Sequence, residues 1–568
     1  MQLPVWDSFT GGAQVTDLKK LDGTPLPGVA SSLTAQEASN PADVGRIVFQ
    51  APDQFTTLYL DRGYGSRWAV STLDIGTLLP TAIQKADLAM VQSTAAVDTA
   101  DEALAVAEQK VSGQVVSVLD YGAKGDGVTD DYDAFVAAFQ AGKRVFVPAG
   151  IYRIRTAILV PSGCELFGEG MDRTIIRLTD TADPDTWVVT NANRAGGDAH
   201  IYLHDFTADW NCDRPGGLNG TGGSRGSCVT FGQVQYGYID RVKAINAGLH
   251  GFDVCQGTLE YPYMGDGYVA PDRSQHVWIS NCIAHNWGDD GFTTHHSDYI
   301  HITNCYAEGP RQRGNNNGFE VDDGSRFVTL TANTSENCYG GVEIKAHHNA
   351  SAGQGVTING HMSIRDVRSY NWRHIGHHVA ADPLSVSAFS ITATNLTSLH
   401  AGNRTGFYED ASARCMSISA FVNVNVNGLL CIGDPLYDYA DGPLVALQYK
   451  ARNVNISNVT ARGFNSASTV IYCTGGDQKV DSINISNIAA DACTKRMVQI
   501  GSDVKGVNVT NVTGKAATTG ALYTVDAASN STITVQGVLC TGFPTAVRHN
   551  STNYATVKLW AASANNTA

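Results

Sequence analysis

The sequence predicts a mainly β protein: a solenoid of parallel strands, preceded by a helical stretch and a small head. Three observations carry that prediction. Segments of the form β-branched residue, any residue, Asn, then Val, Ile or Cys recur at Ile279–Cys282, Ile302–Cys305, Ile456–Val459, Ile485–Ile488 and Val509–Val512, with local steps of 23, 29 and 24 residues. Self-similarity at that period marks a solenoid, in which each coil buries its apolar face only against its neighbours. Of 568 residues, 58 are Gly and only 16% are charged, against about 7% Gly and 25% charged in an average chain; turn-rich coils with uncharged stacked side chains account for both. Finally, Ile83, Met90, Val97, Leu104 and Val111 are spaced by seven, beside a column of small residues at Ala86, Ser93, Ala100 and Ala107. Two columns at that spacing predict a coiled coil and hence an oligomer, a single amphipathic helix packed on its own domain being the alternative.

In chain order, residues 1–78 combine turn signals with short β-like runs such as Arg46–Gln50 and Thr57–Leu60, a small head. Residues 79–112 form the helical linker, 113–540 the solenoid, and 541–568 a tail that ends in a frayed Ala561–Ala568. The net charge of −15 and the 43% hydrophobic content exclude a general nucleic-acid binder and a disordered chain. No apolar run is long enough to cross a membrane. The N-terminus lacks the basic and apolar regions of a secretory signal peptide, so work outside a cell would need another route of exit. The twelve cysteines form no zinc pattern; those after Asn281, Asn304 and Asn337 repeat with the coils and read as buried, stacked thiols.

The stretch Val115–Asp131, containing Tyr121-Gly122-Ala123-Lys124-Gly125-Asp126-Gly127, together with Val145–Ile154, resembles the opening coil of the pectate-lyase-like right-handed parallel β-helix superfamily. That motif is shared by phage tailspikes, polygalacturonase-like hydrolases and related lyases and epimerases. Asp126, Asp130 and Asp131 read as turn and cap residues. The head and coiled coil before the β-helix resemble a phage tailspike layout. The resemblance implies a homotrimer in the virion tail, joined through its head to other tail or baseplate proteins, with a bacterial surface polysaccharide as partner and neither nucleic acid nor membrane insertion.

Six segments set a Gly before a short alternating run: Gly251–Cys255, Gly291–His295, Gly318–Asp322, Gly341–Lys345, Gly376–Ala380 and Gly406–Asp410. Successive strand residues point to opposite faces, and stacked strands lie about 4.8 Å apart. One outward column is then Asp253, Thr293, Glu320, Glu343, His378 and Tyr408; the other is Cys255, His295, Asp322, Lys345, Ala380 and Asp410. Carboxylates, a Lys and a His thus converge on an exposed sheet. Glu320, Asp322 and Glu343 are candidate catalytic carboxylates for glycosidic hydrolysis, and a solvated face of alternating charge, Asp322 over Lys345, is the bland alternative. Trp287-Gly288-Asp289-Asp290-Gly291 resembles the Gly-Asp-Asp motif of the polygalacturonase-like hydrolases, which implies acid and base roles for Asp289 and Asp290 and substrate binding by Lys345. Glu343, standing where that family has Arg, and the missing Gly-His-Gly motif depart from the pattern. Candidate substrate-binding residues are His295, Lys345, Arg311, Arg313, Asp253, His378, Tyr408 and Trp287. No cofactor is expected; Ca²⁺ held by Asp322-Asp323-Gly324 with Asp289 and Asp290 is the alternative weighed. A uronate lyase or epimerase using Lys345 or His295 as base, and a tail fibre that binds without cleaving, are the competing functions.

Overall fold

The computed structural model describes residues 47–49, 57–61, 67–71 and 558–560, and residues 113–549 apart from 216–224, 259–267, 312–314, 347–350, 375–388, 404–411, 435–438, 440–441, 465 and 517–522. Residues 1–110 and 111–568 form separate units. In the first, Ile47–Phe49, Thr57–Asp61 and Arg67–Ser71 pair antiparallel. The coiled coil expected over 79–112 lies outside the described residues.

The second unit is a parallel β-helix. Its strands belong to a 14-stranded and a 23-stranded sheet. Each full coil contributes one short strand to the smaller sheet and either one long strand or two short ones to the larger. The larger sheet bends where one residue per coil turns left-handed; the repeated Asn supplies that residue in several coils, and Ala332, Gly360, Gly428 and Gly537 supply it in others. Asn281, Asn304, Asn458, Asn487 and Asn511 all have φ between 53° and 58°. Outside Gly, Asn is among the few residues that tolerate this region, because its short polar side chain bonds locally. Here the local bond becomes a ladder: Asn304 donates to Asn281 at 2.7 Å, Asn487 to Asn458 at 3.1 Å and Asn511 to Asn487 at 3.0 Å. The next residue points inward, which is why Cys282 and Cys305 are buried; Cys338 follows Asn337 at the next corner of its coil, after the strand Thr334–Glu336, and all eleven described cysteines are buried and free.

The opening motif folds as its turn chemistry predicts. Asp126 accepts the N–H groups of Val128 and Thr129, and Asp130 accepts that of Tyr132 at the start of helix α1, Tyr132–Ala141. Asp131 turns away from the helix and fastens Lys124 and Gly125 instead, at 2.7 and 3.1 Å. At the other end the ladder runs past residue 540: Thr545–His549 pairs with Tyr523–Ala527, and Lys558–Trp560 with Ile533–Thr541. These last coils keep the strand alternation without the Asn signature.

Six strands of the smaller sheet frame the site: β1 Val229–Gly232, β2 Phe252–Cys255, β3 Asp290–Thr294, β4 Asn317–Val321, β5 Gly340–Ala346 and β6 Arg368–His374. They pair parallel in that order. On their inner face Phe252, Phe292 and Phe319 stack at 4.7 and 4.8 Å with rings within 5° of parallel. Burying each such ring is worth about 1.5–3 kcal/mol, and the stack pins the register that aligns the opposite face.

Candidate active site

On that opposite face the first column is as the alternation predicts: Asp253 pairs with Thr293, Thr293 with Glu320, and Glu320 with Glu343. The fifth and sixth members differ. Asn371 follows Glu343 and Ser417 follows Asn371; in the second column Arg373 follows Lys345 and Ser419 follows Arg373. His378 and Tyr408, placed there from the sequence, lie outside the described residues, as does Arg313. The true fifth strand runs Tyr370-Asn371-Trp372-Arg373, an alternation without the leading Gly.

The expected exposed patch is instead a packed polar layer: Asp253, Asp290, His295, Glu320, Asp322, Glu343 and Lys345 are all buried. Buried charges must be paired, and these are. The Lys345 ammonium lies 2.7 Å from Glu320 and 3.2 Å from Asp322. Despite burial, those carboxylates and the nearby Asp290 hold Lys345 protonated well above its usual range. Glu320 also accepts from Thr293 and Asn317, each at 3.0 Å. Glu343 receives Arg373 at 2.5 Å and Asn371 at 2.7 Å; burial nevertheless pushes its carboxyl upward, against the pull of Arg373 and Lys345.

A row one residue before the glycines completes the site, and sequence reasoning missed two of its members. His250, Asp290 and Asn317 precede Gly251, Gly291 and Gly318 in successive coils, and that shared offset was the available signal. The His250 ring lies 3.6 Å from both Asp289 and Asp290 and 3.8 Å from Asp253. Burial alone would neutralise it, but Asp253 and Asp289 raise it well above the ordinary histidine range, so it stands as an imidazolium. Asp253, also bonded to His295 at 3.2 Å, is kept ionised by the two histidines in spite of its burial.

The adjacent carboxyls Asp289 and Asp290 differ sharply. Burial would raise Asp289, yet His250 brings it down to about 2; its side chain is 25% exposed, and it accepts the Asn315 N–H at 2.6 Å. Asp290 is pushed well above the carboxylate range by burial and by the charges of Glu320 and Asp289. Its Oδ1 accepts both the backbone and side-chain N–H of Asn317, at 3.1 and 2.9 Å. Oδ2 has no hydrogen-bond partner and is the oxygen placed to carry the proton. One carboxylate and one carboxylic acid therefore sit side by side, the arrangement that separates base from acid.

Two other expectations are corrected. Trp287 cannot stack on a sugar, because it is fully buried against Gly291 in the core. Arg311 is turned to the backbone, its guanidinium donating to the Ala247 carbonyl. The acidic groups considered for Ca²⁺ divide into two sets, His250 with Asp289 and Asp290, and His295 with Glu320 and Asp322, the potential donor atoms of each lying within 4.8 Å of one another. Each set already has a cation of the protein in contact, His250 or Lys345, and Asp323 is kept protonated by burial and by Asp322.

The family described as rhamnogalacturonase A/epimerase, pectate lyase-like, matches residues 115–343. The pre-neck appendage protein of Bacillus phage phi29 is 43% identical over 446 residues, which are 77% of this chain and 51% of that protein; the chain thus spans about half the length of this curated relative. The crystal structure of the bacteriophage phi29 gene product 12 N-terminal fragment superposes with a TM-score of 0.72 at 41% identity, covering 78% of this chain and 73% of that one. Alginate lyase 7 of Azotobacter vinelandii is 32% identical over 201 residues, 31% of this chain and 23% of that protein.

Proposed function

The chain belongs to the phage tail appendage proteins built on a pectate-lyase-like β-helix, and on that premise we propose that it binds a polysaccharide of the host surface and hydrolyses its glycosidic bonds. One observation carries the hydrolytic reading: Asp289 and Asp290, adjacent in the chain, meet opposite surroundings, Asp289 partly exposed beside His250 and Asp290 buried beside Glu320, which lower the one carboxyl and raise the other. Asp290 is buried in the free chain, so substrate binding must open a path to its Oδ2, which then gives its proton to the leaving glycosidic oxygen as the bond to the anomeric carbon breaks. Asp289, the more accessible of the two, takes a proton from the water whose oxygen adds to that carbon. Lys345, Glu320 and Asn317 set the field and the orientation of Asp290, and Glu343 with Arg373 forms the next layer of support. The pair would have to work as a unit, so Asp289→Asn and Asp290→Asn should each lower kcat by about 10²–10⁴-fold without loss of fold. The measurement is release of new reducing ends from host polysaccharide. Undiminished cleavage by both variants would remove the assignment.

The resemblance to alginate lyase 7 favours one second reading, β-elimination on a uronate. Lys345, held protonated, is a poor base for it. His295, bonded to Asp253 at 3.2 Å, would have to remove the C5 proton. Products absorbing in the ultraviolet at a new double bond would select this reading over hydrolysis.

A further inference from the structure

Another row of residues, at the corner where each coil enters the larger sheet, also has left-handed backbone. In five successive coils it is aromatic: His200, Tyr236, His276, Tyr299 and Phe327, with φ of 55–59°. Their rings stack at 5.2, 5.1, 5.0 and 5.2 Å, within 12° of parallel. In the six coils that follow, the same corner is Gly355, Ser390, Asn423, Asn453, Ser482 and Gly506, again all left-handed. Gly and Asn are residues this backbone favours, and His is tolerated there as well, whereas the bulky Tyr236, Tyr299 and Phe327 are outliers. Stacking returns no more than the left-handed backbone withdraws, and the rings are not core: Tyr236, Tyr299 and Phe327 are 39%, 40% and 46% exposed. Neither local conformation nor burial explains the Tyr and Phe rings, which leaves what they present outward. Stacked face to face, they show edges and phenol groups, and aromatic edges carry partial positive charge that attracts oxygen.

The same coils hold a cavity of about 400 Å³, lined among others by Ser162, Asp198, Gln233, Gln235, Arg273 and Gln275. Tyr236 and His276 each directly follow a lining glutamine. The charges of the cavity are already neutralised or bonded within the protein: Arg273 donates to Asp298 at 2.6 Å, and Asp198 accepts from Ser162 and Asn191 at 2.6 and 3.0 Å. Gln235 and Gln275 each commit one amide N–H within the protein, to the Arg273 carbonyl at 3.5 Å and to Asp298 at 3.3 Å; the second N–H and the carbonyl of each, next in sequence to the aromatic row, suit a neutral, hydroxyl-rich unit rather than an anion.

We propose that this corner is a second, non-catalytic binding subsite for a neutral saccharide unit, separate from the carboxyl cluster. It rests on the reading of the chain as a glycan-binding tail protein. It would hold the polymer while the carboxyl cluster works on it.

The test uses the full chain carrying Asp290→Asn, on an array of immobilised neutral oligosaccharides. Binding to at least one of them is expected, weakened tenfold or more by Gln235→Ala with Gln275→Ala. Tyr236→Asn with His276→Asn should weaken it similarly while keeping or raising thermal stability, because Asn is what the later coils carry at this corner; that guards against a folding artefact. No binding to any neutral oligosaccharide, or binding indifferent to both double variants, overturns the subsite. Failure of the unsubstituted chain to cleave host polysaccharide, with array binding intact, overturns the hydrolase and leaves the subsite standing.

Discussion

Replacing Lys345 by Met would strand two buried carboxylates. At an effective dielectric of about 20, the ammonium contributes gross Coulomb energies of about 6 kcal/mol with Glu320 at 2.7 Å and about 5 kcal/mol with Asp322 at 3.2 Å. Most of that is offset by desolvating the three groups, and removing one partner of a buried pair typically costs about 3–5 kcal/mol. Solenoids unfold piecewise, so a global midpoint would dilute the effect. Amide hydrogen exchange over Asn317–Val321 and Gly340–Ala346, the strands that carry these side chains, is the better assay. A loss of 3–5 kcal/mol is about a 150- to 5,000-fold drop in protection. Adding Glu320→Gln to Lys345→Met should recover part of the loss, since it removes one stranded charge. A Lys345→Met effect below about 1 kcal/mol, or no coupling between the two substitutions, would refute the account of the buried layer.

Three further outcomes follow from the same geometry. Cleavage should show a bell-shaped pH profile, since Asp289 must be ionised, which it is above about 2, and Asp290 must be protonated, which burial and Glu320 extend well above the carboxylate range; an alkaline limb at the ordinary aspartate value would contradict this. Glu343→Gln should cost stability, about 1–3 kcal/mol from the weakened contact with Arg373, while lowering kcat far less than Asp290→Asn; the reverse order, read from urea unfolding and initial rates, would return Glu343 to the chemistry. His361, buried beside Ser335, is lowered from 6.5 to about 3 by burial. The unfolded chain takes up its proton first as pH falls, so this stability is complete above 6.5 and is lost between 6.5 and 3. The loss amounts to about 5 kcal/mol, and His361→Leu should flatten that part of the unfolding curve.

The fold was legible because its two periodic signals report backbone geometry directly. A left-handed residue at the bend is a requirement of the turn, and Asn with an inward Cys, Val or Ile after it meets that requirement in enough coils to show the period, although Ala332, Gly360, Gly428 and Gly537 stand there in others. The columns through Asp253, Glu320 and Glu343 were legible for the same reason, as Gly and Phe or Val marked the register. The site faded where that marker stopped. In β6 a pair of large aromatics, Tyr370 and Trp372, took over the inner face, and a nearby Gly-His-His imitated the lost pattern. His250 was hidden because it stands in a turn, where alternation says nothing about direction. Burial was also out of reach: a row of charges looks solvated in sequence, and only packing shows that Lys345, Arg373 and His250 are its internal counterions.

The inward cysteines of the solenoid bear on where such a protein can live. With every described thiol buried and none joined to another, the covalent structure is the same in reducing and oxidising surroundings. A tail component can therefore be folded within a reducing host cell and serve outside it unaltered. Among the described residues, durability after release is a matter of packing, since none of their thiols is joined to another.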